Sequence, residues 1–180
     1  MLAVVPARGG SKRLPRKNVL PLGGKPLIAW TLDTAAASKT FVDILVSTDD
    51  AEIADVARGR GALVPWLRPA PLATDEAKSA DVLRHALLWY ERERGVVDAV
   101  VLLQPTSPFR SARSIRAAVA QYFSQPPGNP VVSVSPAAVH PAWCFTLAGT
   151  QLNPIQGWDQ LQFRSQDLPP AYALNGAIYV

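Results

Sequence analysis

The chain has 180 residues, 48% of them hydrophobic and 18% charged, with a formal net charge of +4. That composition suits one folded domain of ~100–200 residues and argues against global disorder. No apolar run approaches the ~20 residues of a membrane helix, and the lone Cys144 permits no intramolecular disulfide, so a cytoplasmic protein without a membrane partner is expected. Along the chain, Leu2-Ala3-Val4-Val5 predicts a first buried strand, because a short unbroken apolar run suits a strand covered on both faces. The run stops at Pro6.

Beyond it, residues 7–18 gather Arg8, Lys12, Arg13, Arg16 and Lys17 around Gly9 and Gly10. Adjacent glycines after a strand let backbone amides turn toward a ligand. Arginine pairs bidentately with phosphate, and lysine acts as a point charge. A solvated loop and a nucleic-acid arm are the competing readings of such a basic run. An arm is more often glycine-poor and terminal, whereas these cations stand between a buried strand and another apolar segment. A phosphate cradle is the expectation, with no nucleic-acid partner. Neither G-x-x-x-x-G-K-S/T nor G-x-G-x-x-G is present, which disfavours a P-loop NTPase and a dinucleotide-dependent dehydrogenase.

Residues 26–35 carry helical spacing, with Leu27 and Trp30 as core anchors. Residues 43–47 predict a second buried strand. Thr48, Asp49 and Asp50 then open a helix reaching Arg60-Gly61, and the two acids read as caps in preference to metal ligands. Residues 65–75 form a proline-rich ordered surface loop. A helix over 79–92 places Val82, Leu83, Ala86, Leu87 and Tyr90 on one stripe, with His85 off it on the surface. A third strand spans 98–103, a helix 114–123 and a fourth strand 130–135.

Strands alternating with helices imply a parallel sheet covered on both faces, and ligands of such sheets bind beyond the carboxyl ends of the strands. Two polar loops stand there: the glycine loop and Gln104-Pro105-Thr106-Ser107-Pro108-Phe109-Arg110, whose alternative reading is a turn capping the next helix. From Pro136 to Leu174 the alternation breaks, as expected of an interaction segment with Trp143, Phe145, Trp158 and Phe163 as anchors. His140 reads as a structural loop residue and Cys144 as buried packing.

Residues 5–18, Val-Pro-Ala-Arg-Gly-Gly-Ser-Lys-Arg-Leu-Pro-Arg-Lys-Asn, resemble the signature loop of acylneuraminate cytidylyltransferases, the CMP-sialic acid synthetase family. Residues 103–108 resemble its second hallmark, and 67–79, 140–141, 164–169 and 175–179 resemble further stretches. The resemblance implies a three-layer α/β sandwich with a mostly parallel sheet, of the Rossmann-like nucleotide-diphosphosugar transferase type. It implies a single domain over 1–180 with a protruding dimerisation arm at 136–174, exchanged across a homodimer. Arg8, Gly9, Gly10, Ser11, Lys12, Lys17 and Asn18 would bind CTP, with Ser79 at the base. Gln104, Arg164 and Asn175 would bind the sugar acid, and Arg8, Lys17 and Gln104 form the expected catalytic set.

The implied reaction transfers CMP from CTP to a nine-carbon nonulosonic acid of sialic, legionaminic or pseudaminic type, releasing pyrophosphate. Mg²⁺ is expected with the triphosphate. The family's metal-binding aspartate pair follows the Asn-Gly-Ala-Ile-Tyr signature, so the chain is expected to lack that C-terminal segment and no metal ligand is assigned within it. Two alternatives remain. The related Kdo cytidylyltransferases follow the proline with Gly-Lys-Pro and carry a metal-binding aspartate near the Gln104 position, so Arg16-Lys17-Asn18 and Gln104 disfavour them. A non-catalytic CTP-binding or sugar-acid-binding protein is the other.

Overall fold

The computed structural model describes residues 1–12 and 14–180; Arg13, expected in the cationic cluster, lies outside the described residues. Two compact units are present, Met1–Ser133 with Gly176–Val180, and Val134–Asn175.

In the first unit, β1 (Leu2–Pro6) is followed by a short hairpin, β2 (Pro21–Leu22) and β3 (Lys25–Pro26), then α1 (Leu27–Ser38). Next come β4 (Asp43–Ser47), α2 (Ala51–Arg58), α3 (Ser79–Arg94), β5 (Val100–Leu102) and α4 (Ala112–Phe123). The strand β6 (Val132–Pro136) and, after the second unit's hairpin β7 (Phe145–Ala148) and β8 (Gln151–Pro154), β9 (Tyr172–Tyr179) complete the order.

β1 shows why an unbroken apolar run was needed. Successive side chains point to opposite faces, and both faces are covered. Ala3 and Val5 pack with Ile28 and Leu32 of α1, Ile53 of α2 and Ile115 of α4. Leu2 and Val4 pack with Ala86 and Tyr90 of α3. Full burial contributes about 1.5–3 kcal/mol for each Leu or Val. The result is the expected three layers, helix on sheet on helix.

The sheet order is β4-β1-β5-β9-β6. β1 pairs in parallel with both β4 and β5, while β9 meets β5 antiparallel, Leu102 opposite Tyr179. Val131 and Val180 exchange both backbone hydrogen bonds, at 3.1 and 2.8 Å, the pattern of an antiparallel pair. The sheet is therefore mixed: parallel through its first three strands, then entered by an antiparallel strand from late in the chain.

Helix boundaries follow local chemistry. Asp50 caps α2 by accepting from the Ile53 amide at 3.1 Å, and Ser111 caps α4 by accepting from Ser114 at 3.0 Å. On α3, Val82, Ala86 and Tyr90 are buried, and Tyr90 Oη donates to Asp43 Oδ2 at 2.6 Å. His85 departs from the expected surface position. It is half-buried edge-on to Trp66, with ring centroids 4.5 Å apart, because the loop between α2 and α3 folds over that side of α3. Trp30 is likewise half-buried, donating Nε1–H to the Leu22 carbonyl at 2.8 Å.

The second unit is more regular than its composition suggests. β7 and β8 form a two-residue hairpin turned at Gly149, whose φ is 61°. His140 is structural. Its Nδ1 accepts from the Ala142 amide at 3.1 Å, which leaves the proton on Nε2 to be donated to the Pro169 carbonyl at 3.0 Å. Cys144 is half-buried, short of the full burial expected, with Sγ 3.6 Å from the His140 carbonyl. Trp143 is half-buried, while Trp158, Leu147 and Leu152 are exposed.

Candidate active site

The glycine loop leaves β1 and is fastened at its start. The Gly9 amide donates to Asp49 Oδ1 at 2.9 Å. A β-carbon on Gly9 would stand 2.7 Å from Asp50 Oδ2, so only glycine permits this approach. Asp49 thus holds the loop while Asp50 caps α2. Ser11 donates its amide to the Gly9 carbonyl at 3.0 Å. The Gly9 and Ser11 amides are thus engaged by Asp49 and within the loop. Asn18 is buried and donates Nδ2–H to the Arg8 carbonyl at 2.9 Å, setting the backbone from which Arg8 extends.

Beyond the carboxyl ends of β1 and β5 lies a cavity of about 260 Å³, lined by Arg8, Lys17, Asn18, Arg68, Ser79 and Gln104 among others. It gathers five expected site residues from four segments of the chain. Gly9, Gly10, Ser11 and Lys12 line an adjacent cavity of about 390 Å³. Asp75 lines both. Its carboxylate is 2.5 Å from Arg8 Nη2 on one side and 2.5 Å from Lys12 Nζ on the other. Hydrogen bonding from Lys12 holds the Asp75 carboxyl below the usual carboxylate range, opposed by burial and reinforced by hydrogen bonding from Arg8. Arg8 also donates Nη1–H to the Thr74 carbonyl at 3.2 Å.

Two arginines near the cavity are buried, Arg68 in its lining and Arg110 behind Gln104, and neither was singled out from the sequence as a site residue. Arg68 donates Nε–H to Ser47 Oγ at 3.0 Å, Nη2–H to the Ser47 carbonyl and Nη1–H to the Leu72 carbonyl at 3.4 Å. It pins the proline-rich loop to the end of β4. Burial lowers its pKa, opposed by Asp49 and reinforced by Arg8. Arg110 reaches Gln104, Thr31 and Ala177 behind the pocket wall. The available signal was an arginine set among prolines and apolar residues, where a solvated side chain is not expected.

Gln104 is half-buried, with the Thr106 hydroxyl 3.4 Å from Oε1. Arg164 and Asn175 belong to the second unit. Arg164 is exposed and pairs with Asp167, Nε to Oδ2 at 2.8 Å, while Asn175 Nδ2 donates to Ser135 Oγ at 3.1 Å.

Among the described residues, no three His, Cys, Asp or Glu side chains stand together as a cation's ligand set. Asp75, the carboxylate at the cavity, is committed to two cations. Mg²⁺ is usually held by one or two carboxylates together with water and substrate phosphates, and a carboxylate engaged by two cations is not free to serve as such a ligand. Among the same residues, no helix is long and apolar enough to cross a membrane.

A family model described as Cytidylyltransferase matches residues 2–178. The CMP-N,N'-diacetyllegionaminic acid synthase of Legionella pneumophila is 44% identical, over 100% of this chain and 77% of the relative. The N-acylneuraminate cytidylyltransferase of Streptococcus agalactiae is 41% identical over 99% of this chain, which spans only 42% of that longer protein. Among solved structures, CMP:2-keto-3-deoxy-manno-octonic acid synthetase complexed with CTP aligns with a TM-score of 0.66 at 20% identity. That alignment covers 99% of this chain and 72% of the other, and its likeness is one of fold. With the family match spanning nearly every residue, the chain belongs to the cytidylyltransferase family, in its N-acylneuraminate, sialic-type branch, whose enzymes transfer CMP from CTP to a nonulosonic acid.

Proposed function

We propose that the cavity between Arg8 and Gln104 holds CTP and directs the anomeric hydroxyl of a nine-carbon sugar acid onto its α-phosphate. One oxygen–phosphorus bond forms as the hydroxyl gives its proton to water, the bond from the α-phosphorus to the oxygen shared with the β-phosphate breaks, and pyrophosphate leaves with that oxygen. Arg8, Lys12 and Lys17 neutralise the triphosphate, with Gly9, Gly10 and Ser11 beside it. Asn18 sets Arg8, Ser79 meets the cytosine, and Gln104 orients the sugar. Arg164 and Asn175 bind the sugar acid, Arg164 through its carboxylate. Such a reaction draws its acceleration chiefly from positioning and fixed charge. Arg8, Lys17 and Gln104 supply both.

The observation that carries this reading is the convergence of Arg8, Lys17, Asn18, Ser79 and Gln104 on one cavity beyond the carboxyl ends of the strands. The family resemblance adds Mg²⁺, accompanying the triphosphate and offsetting its charge. Residues 136–174 serve as a dimerising arm, a role supported by the exposed Leu147, Leu152 and Trp158. A cytoplasmic setting agrees with the single free Cys144.

The test is pyrophosphate release from CTP with a panel of nonulosonic acids, beginning with N,N'-diacetyllegionaminic acid because of the 44% identical relative. Release with at least one acid, and none with UTP, is expected. CTP binding without release for any acid would establish the non-catalytic alternative. Sedimentation of the same sample should give twice the chain mass of 19.4 kDa.

A further inference from the structure

We propose that Arg110 is a positioning residue for Gln104, fixing the backbone from which that side chain addresses the sugar acid. The inference rests on Gln104 being the sugar-facing residue. Arg110 is 8% exposed and lies in the loop after β5. Its three nitrogens reach three elements. Nη2–H donates to the Gln104 carbonyl at 2.6 Å, Nη1–H to Thr31 Oγ1 of α1 at 3.1 Å, and Nε–H to the Ala177 carbonyl of β9 at 2.8 Å.

All three acceptors are neutral. Burial alone lowers the guanidinium pKa, to about 10, with no acid opposing it. An unpaired buried charge is a costly way to fill space, and an apolar side chain of similar volume would do so more cheaply. What the guanidinium adds is direction, since its rigid fork sets three acceptors at fixed angles. Two of them bracket Gln104. One is its own carbonyl. The other belongs to Ala177, next to Gly176, and a β-carbon on Gly176 would lie 3.4 Å from Gln104 Oε1. The backbone of Gln104 and the strand its amide faces are thus tied to one buried group. A shift of either would move the amide against the substrate, and misplacements of this size are costly to rate.

A double-mutant cycle on the full chain tests this, using Arg110→Met, Arg110→Lys, Gln104→Ala and the doubles. Turnover is read as pyrophosphate release from CTP with N,N'-diacetyllegionaminic acid, and binding of that acid to the CTP-loaded protein by calorimetry. Both Arg110 variants should bind CTP within about threefold of the parent yet lose about tenfold or more in kcat or sugar-acid affinity, with no added loss once Gln104 is alanine. Lysine should not rescue, because it keeps the charge without the fork. If Arg110→Met fails to fold, the lysine variant carries the cycle. Losses that add independently of Gln104, or that merely track the folded fraction in a thermal melt, would overturn the proposal. Should Gln104→Ala alone change neither turnover nor sugar binding, the reading of Gln104 falls first.

Discussion

Arg8 and Asp75, which both line the cavity beyond β1 and β5, form an ion pair at 2.5 Å. With Lys12 on its other oxygen, the Asp75 carboxylate bridges the two cations that the proposed function assigns to the triphosphate. On the proposed function, CTP competes with that carboxylate for the two cations.

Asp75→Asn should therefore tighten CTP binding. Both pairs are solvent-exposed, so the gain is about threefold to tenfold, and it should shrink as salt rises. Calorimetric titration at low and high salt checks this. Equal or weaker binding at low salt would mean that Asp75 orders the loop for the nucleotide instead of competing with it.

The same clasp has a pH dependence of known sign. Because Lys12 and Arg8 depress the Asp75 pKa, its stabilising effect is fully present above the ordinary carboxylate value. It is lost as pH falls through the depressed one. The stability difference between parent and Asp75→Asn should be flat from neutral pH down to about pH 4 and vanish only below it. Urea denaturation across that range reads it directly.

Gly9→Ala should be far more damaging than Gly10→Ala. The added β-carbon meets Asp50 Oδ2 at 2.7 Å and its Cβ at 2.9 Å, whereas nothing lies within 4 Å at Gly10. Overpacking against the cap of α2 should cost about 1–3 kcal/mol of stability and weaken CTP binding. Gly10→Ala should sit close to the parent in both. Chemical denaturation of the two variants decides between them.

Lys17 lines the same cavity as Arg8 and Gln104. Lys17→Ala should weaken CTP binding by about 1–3 kcal/mol, the range for a charge-assisted hydrogen bond. Unchanged affinity would return this part of the loop to a solvated role.

Arg164→Lys separates the two substrates. Lysine keeps the charge but loses the bidentate fork. If Arg164 holds the sugar carboxylate, the sugar-acid KM should rise severalfold while the CTP KM stays. Equal losses for both would point to a damaged second unit. The Arg164–Asp167 pair in the unliganded chain adds a control, since Asp167→Asn should then lower the sugar-acid KM.

Local pattern alone determined much of this protein. The unbroken run Leu2–Val5 demanded a strand covered twice, because period-two geometry sends apolar side chains to both faces. Acids and serine before apolar helical spacing marked the starts of α2 and α4. Glycines among cations after β1 marked the loop that, with Gln104 at the end of the third buried strand, lines the cavities. Each of these depends on neighbours within a few positions. The rest required distant partners. Nothing in residues 172–179 announces insertion between β5 and β6, since strand pairing is set by which edge the folded sheet leaves open. Arg68 and Arg110 look like loop cations, and only the closing of loops over β4 and β5 strips them of water and gives them carbonyls to hold. Asp75 looked like one more loop acid. The fold made it the bridge between Arg8 and Lys12, because charge pairs over a distance in space that the order of residues does not encode.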